Sequence, residues 1–127
     1  MKISTGIDLI DIERFENLKP AILKRFLQRV FTQRELAQIQ GSLTSAAGRF
    51  AAKEAVAKAL GCGIGPISWK EVEILRGPRG EPLLSLNKNA LLISQEQGLV
   101  DWSISISHTK NQAIALAVAY SNKHNRK

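Results

Sequence analysis

The sequence is poor in the residue types that mark disulfide-bonded, zinc-binding and membrane-spanning proteins. Cys62 is its one cysteine among 127 residues, which excludes an internal disulfide and a zinc site built on paired cysteines. We expect Cys62 to be a small buried thiol in a reducing compartment. Asp8 and Asp11 interrupt the apolar residues near the start, so no signal-peptide core is predicted. No segment is long enough to cross a bilayer, and a cytoplasmic location is expected.

Aromatic residues are also scarce, whereas basic residues are in excess. Aromatics make up 6% of the chain, and no predicted strand interleaves them as base-stacking sheets do. The 18 Lys and Arg outnumber the 11 Asp and Glu, for a formal net charge of +7. This charge favours anionic partners: nucleic acid, an acidic protein or a polyphosphate cofactor. Few aromatics and no groove-reading or zinc motif argue against nucleic acid.

The length and the 44% hydrophobic content suit one globular domain. We expect this domain to cover residues 1–120 and a basic, frayed tail to cover residues 121–127. A domain this short leaves much of its surface in water, so self-association would be a natural way to cover more of it.

Hydrophobic periodicity and capping residues predict an α+β arrangement. Strands are expected over residues 3–12, 68–76 and 83–86, followed by a C-terminal hairpin. Helices are expected over residues 14–30, from a capping box at 32–35 to Gly41, from an N-cap at Thr44 or Ser45 to Gly61, and over residues 88–97.

The C-terminal hairpin has the clearest pattern. Large side chains alternate with serine over residues 102–107 and with alanine over residues 113–120, on either side of a short turn. Period-two patterns flanking a turn predict an antiparallel pair of strands. We expect the serines and alanines to share one smooth face, on which the Ala-rich helix over residues 45–60 packs closely.

The Ala-rich helix carries an unusual set of charges. Its apolar residues cover nearly the whole circumference, which is typical of a buried helix, yet it also holds Arg49, Lys53, Glu54 and Lys58. Glu54 and Lys58 are four residues apart and can meet, while Arg49 and Lys53 share a different face. An ordinary surface ion pair would contribute little. On a buried helix, however, charges need partners, and a metal ion and a phosphate would serve.

Asp8 offers a second carboxylate, within an apolar strand. Alone it is more typical of a turn or a strand edge. Together, Asp8 and Glu54 could supply the one or two carboxylates that Mg²⁺ accepts while it also binds substrate phosphates.

Three stretches resemble one known family in their order and spacing. These are residues 6–12 (GIDLIDI), residues 49–61 (RFAAKEAVAKALG) and residues 105–109 (SISHT). They resemble motifs of the holo-acyl-carrier-protein synthases, the short, single-copy members of the 4′-phosphopantetheinyl transferase superfamily. Phe50 stands where larger relatives often carry Trp. The resemblance covers essentially the whole chain.

The resemblance implies a fold and an activity. The fold would be an antiparallel sheet packed by a long Ala-rich helix and shorter helices. The domain would be catalytic and would transfer 4′-phosphopantetheine from coenzyme A to a serine of apo-acyl carrier protein, releasing adenosine 3′,5′-bisphosphate, in fatty acid biosynthesis. Asp8 and Glu54 would be the Mg²⁺ ligands, and Lys58 would assist departure of the leaving group. Glu54 is the favoured acceptor of the serine proton, directly or through a water molecule.

The resemblance also implies a coenzyme A site and a carrier surface. The coenzyme-binding residues would be Arg49, Lys58, Gly61, Gly63, Gly80, Pro82, Ser107, His108 and Thr109. A core or edge histidine is the alternative interpretation of His108. The residues contacting the acidic carrier would be Arg14, Ile22, Lys24, Arg25, Phe26 and Arg29, for which an ordinary solvated basic face is the alternative.

Larger relatives hold two copies of the fold with the active site between them. This single copy is therefore expected to form a homo-oligomer, and the short members of the family are typically trimers with interfacial sites. A non-catalytic relative that binds a carrier or a nucleotide is the rival hypothesis, and the presence of Asp8, Glu54 and Lys58 argues against it.

Overall fold

The computed structural model describes residues 1–121. The elements in chain order are β1 (Lys2–Asp11), α1 (Glu13–Glu16), α2 (Pro20–Val30), α3 (Gln33–Ile39), α4 (Leu43–Leu60), a 3₁₀ turn (Trp69–Glu71), β2 (Val72–Arg76), β3 (Pro82–Leu86), α5 (Lys88–Glu96), β4 (Asp101–His108) and β5 (Gln112–Ser121). Five α-helices and two antiparallel sheets in this range confirm the predicted α+β class. None of the helices described between residues 1 and 121 has the length and apolarity that a bilayer crossing requires.

The main sheet has three strands in the order β1-β5-β4, and β2 and β3 form a separate hairpin. β4 and β5 pair antiparallel, as the alternating pattern predicts. β1 lies antiparallel to β5 from Lys2 opposite Ser121 to Asp11 opposite Gln112. Ser121, assigned from the sequence to the tail, is thus the buried end of β5. The rest of the predicted tail, residues 122–127, lies outside the described residues.

Helix α4 packs directly against β1 and β5 with its backbone close to the sheet. A Cβ on Gly6 would collide with the carbonyl oxygen of Ala55 and lie 2.8 Å from the amide nitrogen of Ala59. The Ser4 hydroxyl donates a hydrogen bond to the Ala59 carbonyl. Because glycine at position 6 permits this approach, the strand carries Asp8 past the second half of α4, where Glu54 lies.

The prediction of a smooth Ser/Ala face on the hairpin is wrong. Each even-numbered residue of β4 lies opposite an odd-numbered residue of β5, so Ile104 pairs with Ala117 and Ile106 with Ala115. The helix-facing side therefore combines the large residues of β4 with the alanines of β5. The serines of β4 lie on the opposite, outer face with residues such as Leu116, because side chains alternate along a strand.

Two predicted helix boundaries also need correction. Residues 14–30 form two helices rather than one, because Lys19 is extended (φ −62°, ψ 145°) before Pro20, as the residue before a proline tends to be. The N-cap of α4 is Ser42, whose side chain accepts a hydrogen bond from the backbone N–H of Ser45 at 3.1 Å. Helix α4 is therefore longer at its start than the sequence indicated.

Candidate active site

The predicted catalytic residues lie where β1 crosses the C-terminal half of α4. Lys58 Nζ lies 3.1 Å from Asp8 Oδ1 and donates a second hydrogen bond to the Ile7 carbonyl at 2.9 Å. Among the described residues, Lys58 thus forms its ion pair with Asp8 rather than with Glu54, its neighbour four residues earlier. The packing of β1 on α4 brings a carboxylate closer to Lys58 than helical spacing alone provides.

The two carboxylates of this cluster are not satisfied by the protein alone. Burial raises the pKa of Glu54, and the negative charge of Asp8 raises it further, although Lys58 and Arg14 act in the opposite direction. Asp8 Oδ2 is buried and has no hydrogen-bond partner among residues 1–121. A buried, unpaired carboxylate oxygen is unfavourable. A cation between Asp8 and Glu54 would relieve both conditions.

The donor set fits Mg²⁺ better than a structural metal. Within residues 1–121 there is no cluster of three or more His, Cys, Asp or Glu side chains that could hold a metal ion, so a closed zinc-type site is not formed there. Mg²⁺ prefers oxygen ligands and is held by one or two carboxylates together with water and substrate phosphates. Asp8 and Glu54 meet that requirement.

A second group of predicted residues lines a cavity of about 350 Å³ at the other end of α4. Of the predicted coenzyme-binding residues, the cavity is lined by Arg49, Gly80, Pro82 and His108. These come from helix α4, the β2–β3 turn and the end of β4. The other lining residues are Ser42, Thr44, Ser45, Gly48, Ile74, Leu75, Arg76 and Ile106.

The charge of this cavity suits an anion. Arg49 is buried, and its Nη1 donates to the Ile74 carbonyl at 2.9 Å. Burial lowers the pKa of Arg49, and the neighbouring positive charge of Arg76 lowers it further. The lining contains no carboxylate in the part of the chain that the structure describes. Arg76 was not predicted from the sequence as a site residue, because its position at the end of a predicted strand, before a turn, indicates no function.

A larger cavity of about 690 Å³ lies between β3, α5 and β4. Pro82 is its one predicted site residue, and its described lining is rich in leucine and has Glu81 as its charged member. Without a basic side chain in that lining it is a poor site for a polyphosphate, although it is the larger of the two cavities.

The remaining predicted coenzyme residues lie outside the 350 Å³ cavity. Gly61 is the C-cap of α4 with φ 77°, and Gly63 follows with φ 66°. Cys62 between them is half-buried rather than buried, and burial raises the pKa of its thiol. This turn lies beside the Lys58 end of α4, away from the cavity.

Two predicted coenzyme residues of the SISHT motif, Ser107 and Thr109, are not part of the cavity lining. Ser107 is exposed on the outer face of the sheet. Thr109 Oγ1 accepts hydrogen bonds from the backbone N–H groups of Asn111 and Gln112, at 3.2 and 3.1 Å, and so stabilises the turn between β4 and β5. Of this motif, only His108 and Ile106 line the cavity in the described chain.

The Asp8–Glu54–Lys58 cluster and the 350 Å³ cavity therefore point away from each other on the described chain. Arg49 and Glu54 are five residues apart on α4, which separates their directions by about 140° around the helix axis. The cavity lining includes none of Asp8, Glu54 and Lys58. One copy of the chain does not bring the two groups into a common cavity.

The predicted carrier surface lies on α1 and α2. Four basic side chains there are exposed, namely Arg14, Lys24, Arg25 and Arg29. Ile22 is 43% exposed. The ring of Phe26 is half-buried, 5.3 Å from that of Phe15 and 5.4 Å from that of Phe50, so it also holds α2 on the core. The positive charge of Arg14 lowers the pKa of Glu54, so Arg14 acts electrostatically on that carboxylate.

Comparison with known proteins identifies the family of the chain. The family model of the 4′-phosphopantetheinyl transferase superfamily matches residues 4–119. The holo-[acyl-carrier-protein] synthase of Natranaerobius thermophilus is 39% identical over 125 residues, covering 96% of this chain and 100% of the relative. That of Alkaliphilus metalliredigens is 44% identical over 119 residues, covering 90% and 95%.

Solved structures show the same similarity. The holo-[acyl-carrier-protein] synthase of Helicobacter pylori, in complex with coenzyme A, superposes with a TM-score of 0.82 at 34% identity and covers 91% of this chain and 99% of its own. The Neisseria meningitidis synthase superposes with a TM-score of 0.83 at 31% identity, covering 93% and 98%. The resemblance inferred from the three motifs is confirmed. The chain belongs to the 4′-phosphopantetheinyl transferase superfamily and, within it, to the family of holo-[acyl-carrier-protein] synthases.

Proposed function

We propose that the protein transfers 4′-phosphopantetheine from coenzyme A to a serine of apo-acyl carrier protein for fatty acid synthesis. The observation that carries the proposal is the Asp8–Lys58 ion pair, in which one buried oxygen of Asp8 lacks a partner among residues 1–121 and the charge of Asp8 helps to raise the pKa of Glu54. The names of the relatives and the coenzyme A complex of the Helicobacter pylori synthase support the choice of substrates. A cytoplasmic location stays a prediction.

The chemistry requires positioning and charge neutralisation. The serine oxygen forms a bond to the β-phosphorus of coenzyme A, and the bond from that phosphorus to the adenosine 3′,5′-bisphosphate oxygen breaks. Asp8 and Glu54 would hold Mg²⁺, which when bound supplies Lewis-acid polarisation of the diphosphate.

The side chains then have separate tasks in the transfer. Lys58, with a side chain 52% exposed, can turn from Asp8 toward the leaving oxygen and stabilise its developing charge. Glu54, with a pKa raised by burial, accepts the serine proton, directly or through water.

A direct test follows the mass of the carrier. The protein is incubated with coenzyme A, Mg²⁺ and apo-carrier, and mass spectrometry should detect the added phosphopantetheine. Asp8→Asn should abolish the product, because it removes one of the two carboxylates that would hold Mg²⁺. Asp11→Asn is the matched control on the same strand: Asp11 is exposed and bonds to Gln112, so its product should form at the normal rate. Equal turnover by both variants would refute the role of Asp8.

We assign the adenosine bisphosphate end of coenzyme A to the cavity that holds Arg49, Gly80, Pro82 and His108. Its two guanidinium groups and the absence of a carboxylate from the described lining support binding of a phosphate there. The Gly61–Gly63 turn beside Lys58, and Ser107 and Thr109 at the end of β4, would complete the contacts. Since the cavity and the catalytic cluster face apart on one chain, the complete site requires a second copy.

The outer face of the main sheet is a suitable surface for such a copy. Cross-strand pairs place Ile3 beside Tyr120, Ile7 beside Leu116 and Leu9 beside Ile114. These six side chains are 37% to 63% exposed. A contiguous apolar patch of this kind is typical of an interaction surface. The number of copies, three, comes from the family resemblance.

Mixed oligomers test the interfacial site. Asp8→Asn inactivates the catalytic cluster, and Arg49→Met removes a guanidinium from the cavity. If each site joins the cluster of one copy to the cavity of the next, an equal mixture of the two variants should recover about one quarter of wild-type activity. Sedimentation should show a trimer. No recovery after verified subunit exchange, or a fully active monomer, would contradict the interfacial site.

We propose the basic surface of α1 and α2 as the carrier-binding surface. It comprises Arg14, Ile22, Lys24, Arg25, Phe26 and Arg29. Arg25→Glu should raise the KM for carrier about tenfold at low salt, with the KM for coenzyme A unchanged, since carrier proteins are acidic and such contacts are screened by salt. Lys70→Glu, an exposed charge reversal in the 3₁₀ turn, is the control. The same carrier KM in both variants would exclude this surface.

A further inference from the structure

Strand β2 has one edge that is covered by side chains instead of a strand. β2 pairs with β3 on one side. On the other side, polar side chains of α3 and α4 form hydrogen bonds with its backbone. From α4, Lys53 donates to the Val72 carbonyl at 2.6 Å and Arg49 donates to the Ile74 carbonyl at 2.9 Å. From α3, Glu35 accepts from the Ile74 N–H at 2.7 Å, and Gln38 accepts from the Arg76 N–H at 2.7 Å and donates to the Arg76 carbonyl at 3.2 Å. These contacts replace the hydrogen bonds that a neighbouring strand would make.

The centre of this arrangement is a fully buried ion pair. Lys53 Nζ lies 2.9 Å from Glu35 Oε1, and both side chains are 0% exposed. Glu35 Oε1 also accepts from the Thr32 N–H at 2.9 Å, while Oε2 is bonded to Ile74. Every oxygen of the carboxylate is therefore occupied, and the pair connects α3, α4 and β2 at one point.

The strand held in this way forms a wall of the 350 Å³ cavity. Ile74, Leu75 and Arg76 all line it. Both backbone polar groups of Ile74 are bonded to side chains: its N–H donates to Glu35, and its carbonyl accepts from Arg49. A shift of Ile74 would therefore move Arg49 relative to the cavity, and a shift of Arg76 would move the second guanidinium.

We infer that Glu35, Lys53 and Gln38 are positioning residues for coenzyme A binding. Glu35 holds the backbone of Ile74 and Gln38 that of Arg76, while Lys53 holds Glu35 and the Val72 carbonyl. Through this strand they fix the two arginines of the cavity. The inference rests on the proposed assignment of that cavity to coenzyme A. The three residues do not themselves line the cavity, so their effect on the coenzyme is transmitted through β2.

Glu35→Gln is the decisive variant. Two donors, Lys53 Nζ and Thr32 N–H, converge on Oε1, whereas Ile74 N–H alone meets Oε2. The single carbonyl oxygen of glutamine is therefore drawn to the Oε1 position, and its NH₂ group faces the Ile74 N–H without a bond. We expect the KM for coenzyme A and the Kd for adenosine 3′,5′-bisphosphate to rise about tenfold, with the KM for carrier unchanged.

Ile39→Val is the matched control in α3. Ile39 is buried, so this variant also destabilises the packing of the helix, but it leaves each bond to β2 in place. Its KM for coenzyme A should stay at the wild-type value. If Ile39→Val raises that KM as much as Glu35→Gln does, the effect is general destabilisation and the positioning role is refuted.

Gln38→Ala covers the case in which Glu35→Gln fails to fold. The bonds of Gln38 to Arg76 are solvent-exposed, so their loss should leave the fold intact and raise the KM for coenzyme A about threefold.

Arg49→Met separates the assignment of the cavity to coenzyme A from the positioning role of Glu35, Lys53 and Gln38. An unchanged Kd for adenosine 3′,5′-bisphosphate in Arg49→Met refutes the cavity assignment itself. A raised Kd in Arg49→Met with wild-type Kd in Glu35→Gln and Gln38→Ala refutes positioning alone.

Discussion

Helix α4 carries two lysines, Lys53 and Lys58, whose surroundings differ in nearly every respect. Lys53 is 0% exposed and is bonded to the Glu35 carboxylate and to the carbonyls of Trp69 and Val72. Lys58 is 52% exposed, and its carboxylate partner, Asp8, has a second oxygen without a bond among residues 1–121. The first group of charges is complete within the chain, and the second is not.

The difference follows from the cost of burying charge. Burial lowers the pKa of Lys53, and the charge and hydrogen bond of Glu35 oppose that shift. A pair withdrawn from water in this way persists only when its remaining donors and acceptors are bonded. The Asp8–Glu54–Lys58 cluster is nearer to solvent and can therefore remain incomplete. The fully bonded Lys53–Glu35 pair thus has a structural role, and the incomplete cluster is the part of α4 to which we assign the proposed site.

Replacing each lysine by methionine should separate the roles most sharply. Lys53→Met leaves the Glu35 carboxylate buried without its cation and should lower the free energy of unfolding by about 3–5 kcal/mol. Lys58→Met removes a partly exposed pair and should lower it by less than about 1 kcal/mol. Urea denaturation followed by circular dichroism measures both. Equal losses would show that burial does not distinguish the two pairs.

Glu54→Gln should reduce turnover more than either lysine replacement. It removes a negative charge from the pair of carboxylates and should reduce the transfer rate on the order of a thousandfold, while stability is unchanged or slightly higher. Glu16→Gln in α1, an exposed glutamate, is the control. Wild-type turnover by Glu54→Gln would overturn the assignment of the carboxylates.

Lys58→Met should reduce turnover by a smaller factor, on the order of a hundredfold, because it removes one source of transition-state charge stabilisation and leaves both carboxylates. The loss should fall on kcat, with the KM for carrier retained. A loss confined to the KM for coenzyme A would assign Lys58 to ground-state binding instead.

Local patterns in the sequence predicted much of this fold. The capping box at Thr32 and Glu35 is confirmed, with the Glu35 N–H bonded to Thr32 Oγ1 at 3.1 Å, because such a motif depends on four consecutive residues. The β4–β5 hairpin and the closeness of Asp8 to the charged end of α4 were likewise anticipated. Which hairpin residues share a face depends on strand register, and period-two patterns do not contain that information.

Long-range partners could not be found in the same way. Glu35 already had a local explanation as the capping glutamate, so nothing in the sequence indicated that its carboxylate also binds Lys53 and Ile74. Arg76 is separated from Arg49 by the rest of α4, a loop, the 3₁₀ turn and β2. The cavity they share forms only when three distant segments pack together. Such sites depend on tertiary packing rather than on periodicity.

The pH dependence of stability gives the smallest expected effect and reports on the incomplete cluster alone. The folded-state pKa of Glu54 is raised above its ordinary value of 4.5, so the folded protein binds more protons than the unfolded chain between those two values. Stability from this group is therefore present below pH 4.5 and is lost as the pH rises through the folded pKa.

In a metal-free buffer, the Tm of wild type should fall relative to that of Glu54→Gln over this interval. Millimolar Mg²⁺ should restore it in wild type but not in Asp8→Asn, because a bound cation stabilises the folded state by mass action. Parallel Tm curves for wild type and Glu54→Gln, unaffected by Mg²⁺, would mean that the two carboxylates are as well satisfied without a cation as the Lys53–Glu35 pair is.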